Sequence, residues 1–495
     1  MDLPATPSAS GSLLKMFKKA AVISFGVIAE EKLPISLAWL AGVFEREGID
    51  YDVHDFNHEL YTTLPLDQYR ALRHNTLKSP SSEVIDVIDV IVDRIILQSP
   101  DLLSVSVFSY RQFDVARIFL ERFARLMPEG VTRIIGGPGA WYIPPGSSKT
   151  CGHLLATAGL IDHYALGNGE EVIVDFLQGA NPDSLVGMNS LRKLQASNHV
   201  EEWTELVKKI QDKYIEPSYR KIPILNHLKQ KKEILITGAN GCPGRCAFCS
   251  IREYIPFPSY RDGVDVANEC YKLFKQTGVT RFRRTDALAN GHTKHFKAFN
   301  ERIIQLRKDD PLFTFEYNAM FLPKDSRIQD EEYYRLMAEA GCKTLDLGIE
   351  SGSERLRVDM HKEYTDAQLD WHFAMCQKFG IKNNISIFVG FPTETEEDFN
   401  QNLRMLERYQ KYVEDGTFYE IQHCGKFVLY TKTYIYNNLD EYNVVITDES
   451  SDPIQWTCTT NPTNTPEERL RRERTFLQKA RELGYRIDVY DSVDK

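Results

Sequence analysis

The stretch ILITGANGCPGRCAFCSI, residues 234–251, decides how the rest of the chain is interpreted. It places Cys242, Cys246 and Cys249 at the spacing Cys-x-x-x-Cys-x-x-Cys. An apolar run at 234–236 precedes a glycine-rich turn, so we predict that the thiols lie on a loop directly after a strand. Iron–sulfur clusters are held by cysteine thiolates, normally four of them. Three thiols on one tight loop therefore predict a cubane cluster whose fourth iron has no protein ligand.

The main alternative is a zinc knuckle or a set of buried free thiols. Zinc usually takes a fourth Cys or His from a second short motif nearby. The next cysteine is Cys270, inside a predicted helix, and the next histidine is His292, so neither has knuckle spacing. Gly241 and Gly244 allow the backbone to wrap closely around a cluster, and Arg245 adds positive charge beside it. These features favour the cluster.

The cysteine motif, with the aromatic Phe248 directly before its last cysteine, resembles the signature of radical S-adenosylmethionine (radical SAM) enzymes. The resemblance implies a [4Fe-4S] cluster whose open iron binds the amino and carboxylate groups of SAM. It also implies that the reduced cluster cleaves SAM to a 5′-deoxyadenosyl radical, while the protein supplies positioning and excludes water. Cys242, Cys246 and Cys249 are then the catalytic and metal-binding residues.

Composition excludes several classes of protein. The chain has 495 residues, enough for two or three domains, with 42% hydrophobic residues and a net charge of −10. An acidic chain argues against a nucleic-acid partner, because phosphate backbones attract Lys and Arg. We expect no membrane span, because there is no long uncharged apolar run. Of the nine cysteines, the six outside the motif are dispersed, which is typical of a reducing cytoplasm. Residues 1–19 are predicted to be a disordered tail without a signal-peptide core.

The first part of the chain alternates short strands with helices. This order predicts an α/β fold with a parallel, doubly wound, Rossmann-like sheet. Ligands of such sheets bind at the carboxyl ends of the strands, here the loops at 109–113, 136–142 and 167–170. The predicted strands are 20–25, 49–53, 102–108, 132–135 and 163–166, and the predicted helices are 33–47, 113–126 and a segment that ends near 177.

The Gly-Gly-Pro loop at 136–138 and the Gly-Asn-Gly-Glu-Glu loop at 167–171 resemble the cobalamin-binding domain of cobalamin-dependent radical SAM enzymes. Each glycine taken alone is better explained by a tight turn. The family's Asp-x-His-x-x-Gly sequence is absent, since the loop at 26–31 has no histidine, and we interpret His54 as a solvated or capping residue. The resemblance implies either cobalamin without a protein histidine on cobalt or an empty domain. The implied cobalamin contacts are Ser109, Tyr110, Gln112, Phe113, Gly136, Gly137, Pro138, Gly167, Gly169 and Glu170.

A second α/β pattern begins near residue 233, after a polar, Lys-rich stretch at 181–230 that we interpret as a linker with a helical piece at 200–214. This pattern resembles the partial (β/α)6 barrel of radical SAM enzymes. Active groups in such barrels project from the carboxyl ends of the strands. The predicted strands are 234–237, 281–284, 313–318, 344–348 and 384–390, and the predicted helices are 265–277, 293–308, 330–340, 365–379 and 396–409.

Motifs at these strand ends resemble the SAM-binding sequences of the family. The resemblance implies that Glu350 and Ser351 bind the amine and the ribose hydroxyls of SAM, while the backbone at Gly390 lines the adenine. Lys362 ends a Met-His-Lys sequence where relatives have Met-x-Lys. Taken singly, each motif is explained by a cap or turn; Thr395, followed by three acidic residues, is a good helix start. The implied SAM contacts are Phe248, Asp286, Glu350, Ser351, Gly390 and Phe391.

The predicted domains are the tail at 1–19, a cobalamin-binding-type domain at 20–180, the linker at 181–230, the barrel at 231–418 and a C-terminal capping and substrate region at 419–495. The last region has a strand-like segment at 426–434, an aromatic turn at 434–442, an unpatterned stretch at 448–465 and a charged helix at 466–483. Tyr436, Trp456 and Cys458 either line the substrate pocket or pack against the barrel mouth. Cys458 is better explained as a buried thiol than as an auxiliary ligand.

The residues and the resemblance together favour a cobalamin-dependent methyltransferase that acts at an unactivated carbon of a small molecule. In the implied mechanism one SAM methylates cobalamin, and the radical from a second SAM takes a hydrogen from the substrate. A cobalamin-dependent rearrangement or cyclisation, a radical SAM enzyme without cobalamin, and a non-catalytic iron–sulfur or zinc protein are the alternatives. The expected partners are the substrate and a reductase or flavodoxin-type electron donor.

Overall fold

A computed structural model describes residues 16–26, 35–72, 80–109, 112–127, 130–142, 147, 149–165, 169–185, 187–190, 215–222, 233–255, 257–362, 364–451 and 453–487. The chain divides into two compact units, residues 1–230 and residues 231–495. In the described ranges no helix has both the length and the apolar character needed to cross a membrane.

The first unit is built on a six-stranded sheet in the order β2-β1-β3-β4-β5-β6, parallel except for the last strand. The strands β1 and β3 are buried almost throughout, because they are continuous apolar runs of the kind that parallel sheets cover on both faces. This is the predicted doubly wound architecture. The strands are β1 Lys19–Phe25, β2 Asp50–Asp55, β3 Leu102–Val107, β4 Thr132–Gly136, β5 His163–Ala165 and β6 Met188–Asn189.

Helices connect and cover these strands. The sequence analysis placed no helix between β2 and β3, where the structure has three; the last of them buries an aliphatic stripe that includes Val84, Ile88 and Ile95. His54 is buried, with its Nε2 3.2 Å from Oε1 of Gln98, so the interpretation of His54 as a solvated residue was wrong. The helices are α1 Ile35–Glu47, α2 Phe56–Thr63, α3 Leu66–Leu72, α4 Ser82–Gln98, α5 Phe113–Leu126, α6 Pro138–Trp141, α7 Cys151–Thr157 and α8 Gly169–Leu177.

Part of the predicted linker packs onto the first unit. The backbone N–H of Ser218 donates to the carbonyl of Ala38 at 2.8 Å, and its hydroxyl donates to Glu45 at 2.6 Å. The predicted helix at 200–214 lies outside the described residues. Most of the predicted tail also lies outside them, but Phe17 packs against Phe176 with the ring centroids 5.5 Å apart.

The second unit contains a six-stranded parallel sheet in the order β14-β13-β12-β11-β10-β7, which is the open form expected of a partial barrel. One face is apolar and covered by helices, while the other carries polar groups such as Arg283, whose Nη1 lies 2.9 Å from Oδ2 of Asp346. The strands are β7 Glu233–Ile236, β8 Ala239–Asn240, β9 Ser259–Tyr260, β10 Arg281–Arg284, β11 Glu316–Phe321, β12 Cys342–Glu350, β13 Lys382–Val389, β14 Phe418–Lys426, β15 Val444–Asp448 and β16 Gln455–Cys458.

The helices of this unit begin at well-formed caps. Thr365 and Thr395 each form a capping box with the residue three positions later, as the acidic run after Thr395 predicted. The helices are α9 Ile251–Tyr254, α10 Gly263–Thr277, α11 Thr293–Asp309, α12 Glu331–Ala340, α13 Glu354–Asp359, α14 Asp366–Phe379, α15 Glu396–Tyr409, α16 Lys411–Glu414, α17 Tyr434–Asn437 and α18 Pro466–Glu482.

Two predicted strands differ from the structure. The strand expected at 313–318 is β11 at Glu316–Phe321, and the strand expected at 426–434 is wrong, because the last strand of the sheet is β14 at Phe418–Lys426. Residues 427–430 have no regular structure, yet Phe427 and Leu429 are buried. The apolar run therefore indicated that these residues are buried. Burial alone does not distinguish a strand from an irregular segment that packs into a core.

Candidate functional site

The three cysteines of the motif lie on the loop between β8 and α9, half-buried and without a disulfide. A side-chain carbon placed on Gly244 would lie 3.3 Å from Sγ of Cys242 and 3.8 Å from Sγ of Cys246. The N–H of Gly244 donates to Sγ of Cys242 at 3.4 Å. These two sulfurs therefore lie on the same side of the loop, next to Gly244, where a larger residue would make a tight contact with Sγ of Cys242.

The arrangement of the thiols fits a cluster better than a single metal ion. Among the residues that the structure describes, no three His, Cys, Asp or Glu side chains converge on one ion, which a zinc knuckle would require. In a cubane each thiolate binds a different iron, so the sulfurs need not converge. Burial raises the pKa of Cys246 to about 11 and also raises the pKa of Cys249, so binding of iron must displace their protons.

Backbone hydrogen bonds from distant segments hold the cysteine loop in place. The N–H of Ala247 donates to the carbonyl of Met360 at 2.9 Å, and the carbonyl of Ala247 accepts from the N–H of Ile435 at 3.0 Å. Ala247 is fully buried. Met360 directly follows α13, and Ile435 lies in α17, so the C-terminal region contributes directly to the loop that carries the cysteines. Sequence reasoning missed these contacts, because they join backbone atoms.

Asp286 stabilises the segment that leads into the cysteine loop. Its Oδ1 accepts from the N–H groups of Gly238 and Ala239, both at 2.6 Å, and its Oδ2 accepts from Nε of Arg284 at 2.6 Å. The side chain is buried, and both oxygens are already engaged. The structure thus gives Asp286 a positioning role, and the predicted contact with SAM stays a prediction.

Glu350 ends β12 at an irregularity of the strand, in a left-handed conformation with φ of 66°. Its Oε1 lies 2.6 Å from Nζ of Lys362, and the two side chains are 13% and 11% exposed. Burial disfavours the charged form of Lys362, but Glu350 and Cys246 outweigh it, so the pKa of Lys362 is raised. Nζ of Lys362 also lies 5.9 Å from the ring centroid of Phe248, so Glu350, Lys362 and the cysteine loop form one group.

Ser351 is fully buried, and its hydroxyl donates to Oδ1 of Asn402 at 3.1 Å. The same Oδ1 accepts from the N–H of Gly352 at 2.6 Å. Asn402 in α15 therefore holds the loop that follows Glu350. The predicted contact of Ser351 with ribose stays a prediction.

Gly390 and Phe391 lie on the loop after β13. Gly390 has φ of 81°, and its N–H donates to Glu394. Phe391 is fully buried and packs against Phe427 with the ring centroids 5.2 Å apart. Nδ2 of Asn464 donates to the carbonyl of Phe391 at 2.9 Å. Side chains of the C-terminal region therefore hold the loop whose backbone is predicted to line the adenine.

Trp456 and Cys458 are buried in a core cluster that includes Ala247 and Phe391. The guanidinium carbon of Arg469 lies 3.4 Å from the ring centroid of Trp456. Sγ of Cys458 donates to the carbonyl of Tyr442 at 3.6 Å. The structure supports the packing interpretation for Trp456 and Cys458.

In the first unit, the predicted cobalamin contacts that the structure describes follow β3, β4 and β5, at the carboxyl edge of the sheet. A side-chain carbon on Gly137 would lie 2.5 Å from the carbonyl oxygen of Val107, so this glycine is required by the chain itself. Gly136 and Gly169 are less crowded than Gly137. A side-chain carbon would lie 3.7 Å from Cβ of Ala165 at Gly136 and 3.4 Å from it at Gly169, and both distances are ordinary van der Waals contacts. Packing within the described residues therefore requires glycine at Gly137 but not at Gly136 or Gly169.

Gln112 precedes α5 at the same edge and is 8% exposed. Its Oε1 has no hydrogen-bond partner among the described residues. A buried amide oxygen without a partner costs free energy, and a ligand N–H or O–H would satisfy it. Phe108, 55% exposed at the end of β3, adds an apolar surface that sequence reasoning missed. Tyr110, Gly167 and the side chain of Glu170 lie outside the described residues.

Comparison with known proteins identifies the second unit. Residues 236–406 match the Radical SAM superfamily. An uncharacterized methyltransferase of Pyrococcus horikoshii is 24% identical over 319 residues, which cover 62% of this chain and 64% of that protein. The anaerobic magnesium-protoporphyrin IX monomethyl ester cyclase of Cereibacter sphaeroides is 24% identical over 329 residues, covering 65% of this chain and 51% of that protein. The chain thus spans roughly half to two thirds of the length of these two relatives.

The architecture matches that of TsrM of Kitasatospora setae, a radical SAM methyltransferase. Its structure with cobalamin and a [4Fe-4S] cluster has a TM-score of 0.64 at 17% identity, covering 87% of this chain and 77% of that one. The structure with its tryptophan substrate and a SAM analogue has a TM-score of 0.66 at 16% identity, covering 96% and 97%. At such identity the likeness shows the fold, and it confirms the predicted fold class.

Proposed function

We propose that this chain, which carries the radical SAM domain of its superfamily, is a cobalamin-dependent methyltransferase that acts on an unactivated carbon of a small molecule. The observation that carries the proposal is the cysteine loop. Its three thiols are half-buried, its Phe248 packs near Lys362, and Lys362 forms an ion pair with Glu350. When bound, a [4Fe-4S] cluster supplies the electron that cleaves SAM, and cobalamin supplies a carrier for the methyl group.

The residues of the second unit bind and orient SAM. Cys242, Cys246 and Cys249 would hold the [4Fe-4S] cluster through their thiolates. Glu350, fixed by Lys362, receives the amine of SAM, because a buried carboxylate is a strong acceptor for an ammonium group. The loop at Gly390 presents backbone groups to the adenine. The surrounding buried aromatic side chains exclude water from the reacting atoms.

Cobalamin would bind at the carboxyl edge of the first sheet. The support is the space over Gly136 and Gly169, the unpartnered Oε1 of Gln112 and the exposed ring of Phe108. The proposal of cobalamin is further supported by TsrM, a protein of similar fold that was solved with cobalamin bound. Because the family's histidine sequence is absent, this domain would hold cobalamin without a protein ligand on cobalt from that motif.

The first experiment tests the cluster and SAM cleavage. The protein is purified without oxygen, with cobalamin supplied during expression, and its iron and cobalt contents are measured. After chemical reduction, formation of 5′-deoxyadenosine from SAM is followed. Cys246→Ala should lose the iron and all SAM cleavage, whereas Cys458→Ala, which removes a buried thiol outside the loop, should retain both. SAM cleavage by Cys246→Ala would overturn the cluster assignment.

A second experiment tests cobalamin. Gly136→Phe should lower the cobalt content and leave the iron content unchanged, because its ring would fill the space at the sheet edge. Gly136→Ala is the matched control, since its added carbon makes only ordinary contact with Ala165. Gly137 is unsuitable, because any side chain there meets the backbone of Val107. Equal cobalt contents in both variants and the unaltered protein would place cobalamin elsewhere.

A cobalamin-dependent rearrangement or cyclisation is the second candidate, and the cyclase among the relatives favours it. The two outcomes differ in the product. A methyltransferase adds one methylene to the mass of the substrate and consumes a methyl group from SAM, whereas a rearrangement leaves the methyl group of SAM untouched. Either reaction needs an electron donor, for which a flavodoxin-type protein or a reductase is the expected partner.

A further inference from the structure

Lys362 comes from a segment that is bonded to the cysteine loop. Its N–H donates to the carbonyl of Arg357 at 2.8 Å, and two residues earlier the carbonyl of Met360 accepts from Ala247 in that loop. His361, between them, has φ of 55°, which turns the chain sharply after α13. The backbone thus fixes where the side chain of Lys362 begins.

The ammonium group of Lys362 is closely surrounded by other groups of the protein. It forms the ion pair with Glu350 at 2.6 Å, and the side chain is only 11% exposed. A side-chain carbon on Gly348 would lie 2.7 Å from Nζ, so the glycine in β12 is what gives the ammonium room. Burying an ammonium group is costly unless charges of opposite sign surround it. Glu350 supplies one such charge.

The cysteine loop lies beside this ammonium group. Nζ of Lys362 lies 5.9 Å from the ring centroid of Phe248, the residue directly before Cys249. The carbonyl of Met360, two residues before Lys362, accepts from the N–H of Ala247, the residue directly after Cys246. Lys362 is therefore a cation fixed beside the segment that carries Cys246 and Cys249, in a poorly solvated site where charges interact strongly.

We propose that Lys362 sets the ease of reduction of the cluster: its positive charge stabilises the reduced state, while its ion pair with Glu350 fixes the carboxylate at the SAM site. Lys362 is thus a positioning residue that also tunes the cluster. Reduction adds one negative charge to the cluster, so a fixed cation nearby favours it and a fixed anion opposes it. This inference rests on the proposed function, because it requires the cluster.

Midpoint potentials, measured by an anaerobic titration followed by electron paramagnetic resonance, test this inference. Lys362→Met should lower the equilibrium constant for reduction about tenfold, because one unit of partly buried charge is removed. Tenfold corresponds to 59 mV for a one-electron couple. Glu350→Gln should shift the potential the other way. Lys378→Met, which removes an exposed lysine that pairs with Glu331, is the control and should leave the potential unchanged.

The double variant K362M/E350Q removes both charges and should return the potential toward that of the unaltered protein. If Lys362→Met does not retain iron, the double variant is compared with Glu350→Gln, from which it differs only by the lysine; its potential should be the lower of the two. Equal potentials in either comparison would overturn the inference and reduce Lys362 to a structural ion pair. Failure of the unaltered protein to bind iron would instead overturn the proposed function.

Discussion

Replacement of Arg472 by Met should destabilise the second unit in a pH-dependent way. Arg472 is 2% exposed, and its Nη1 lies 3.0 Å from Oε2 of Glu394, which is fully buried. Burial raises the pKa of Glu394 to about 7, an effect that Arg472 opposes. Breaking a buried ion pair by removing one partner costs about 3–5 kcal/mol, because the other charge stays buried.

The sign of the pH dependence follows from Glu394. Its pKa in the folded state lies above its unfolded value of 4.5, so its contribution to stability is complete below about pH 4.5 and is lost as the pH rises through 7. Removing Arg472 raises the folded pKa further. At pH 6 the carboxyl is mostly protonated in both proteins, whereas at pH 8 only the unaltered protein holds the ionised carboxylate beside a cation. The variant should therefore lose more stability at pH 8 than at pH 6.

Thermal unfolding of the iron-free protein, followed by circular dichroism, measures the effect. A loss of about 3 kcal/mol corresponds to a fall in Tm of roughly 6–12 °C for a unit of this size. Arg471→Met is the control: Arg471 is exposed and pairs with Glu468 and Glu396, so its loss should change Tm little. The double variant R472M/E394Q should abolish the difference between the two pH values. If Arg472→Met lowers Tm equally at pH 6 and pH 8, the interpretation that Glu394 becomes a buried charge between these two pH values is refuted.

Three further variants test the contacts that hold the candidate site. Asp286→Ala leaves the N–H groups of Gly238 and Ala239 without their acceptor. The iron content after reconstitution should therefore fall, while circular dichroism shows an intact fold. A full iron content would show that these two hydrogen bonds are not needed to hold the cysteine loop. Asn402→Ala leaves two buried donors unpaired, about 1–3 kcal/mol each, and should lower Tm and weaken SAM binding in equilibrium dialysis. Asn464→Ala should weaken SAM binding without loss of iron, because it removes a contact that holds the loop after β13; an unchanged SAM affinity would show that this contact does not contribute to SAM binding.

The sequence was sufficient to place the cysteine motif on a loop after a strand and to predict most of the elements around it. Local chemistry dictates these features: the spacing of Cys242, Cys246 and Cys249 is a loop property, and the acidic run after Thr395 makes a capping box without tertiary help. The strand β14 could not be placed in the same way. Its residues Phe418–Lys426 include Glu, His and Lys side chains, because one face of the sheet is not covered by helices.

Long-range contacts account for what sequence reasoning missed. Asp286 has the residue type and position of a ligand contact, yet its two oxygens are engaged by the backbone at Gly238 and by Arg284. Only the folded chain shows that engagement, because the partners at Gly238 lie 48 positions earlier. Likewise, a glycine that packing requires, such as Gly137, and a glycine that packing within the described residues does not require, such as Gly136, look alike in a sequence.

The C-terminal region of the second unit contacts both loops of the candidate site and does not only cover them. Ile435 holds the cysteine loop through Ala247, and Asn464 holds the loop after β13 through Phe391. Both segments meet in the buried core cluster that contains Ala247, Phe391 and Trp456. Close packing makes such a core resist small displacements. The cysteine loop and the loop after β13 are therefore held within one packed frame, so removing a contact that holds one of these loops, as Asn464→Ala does, should affect SAM cleavage even though the side chain need not touch a cofactor.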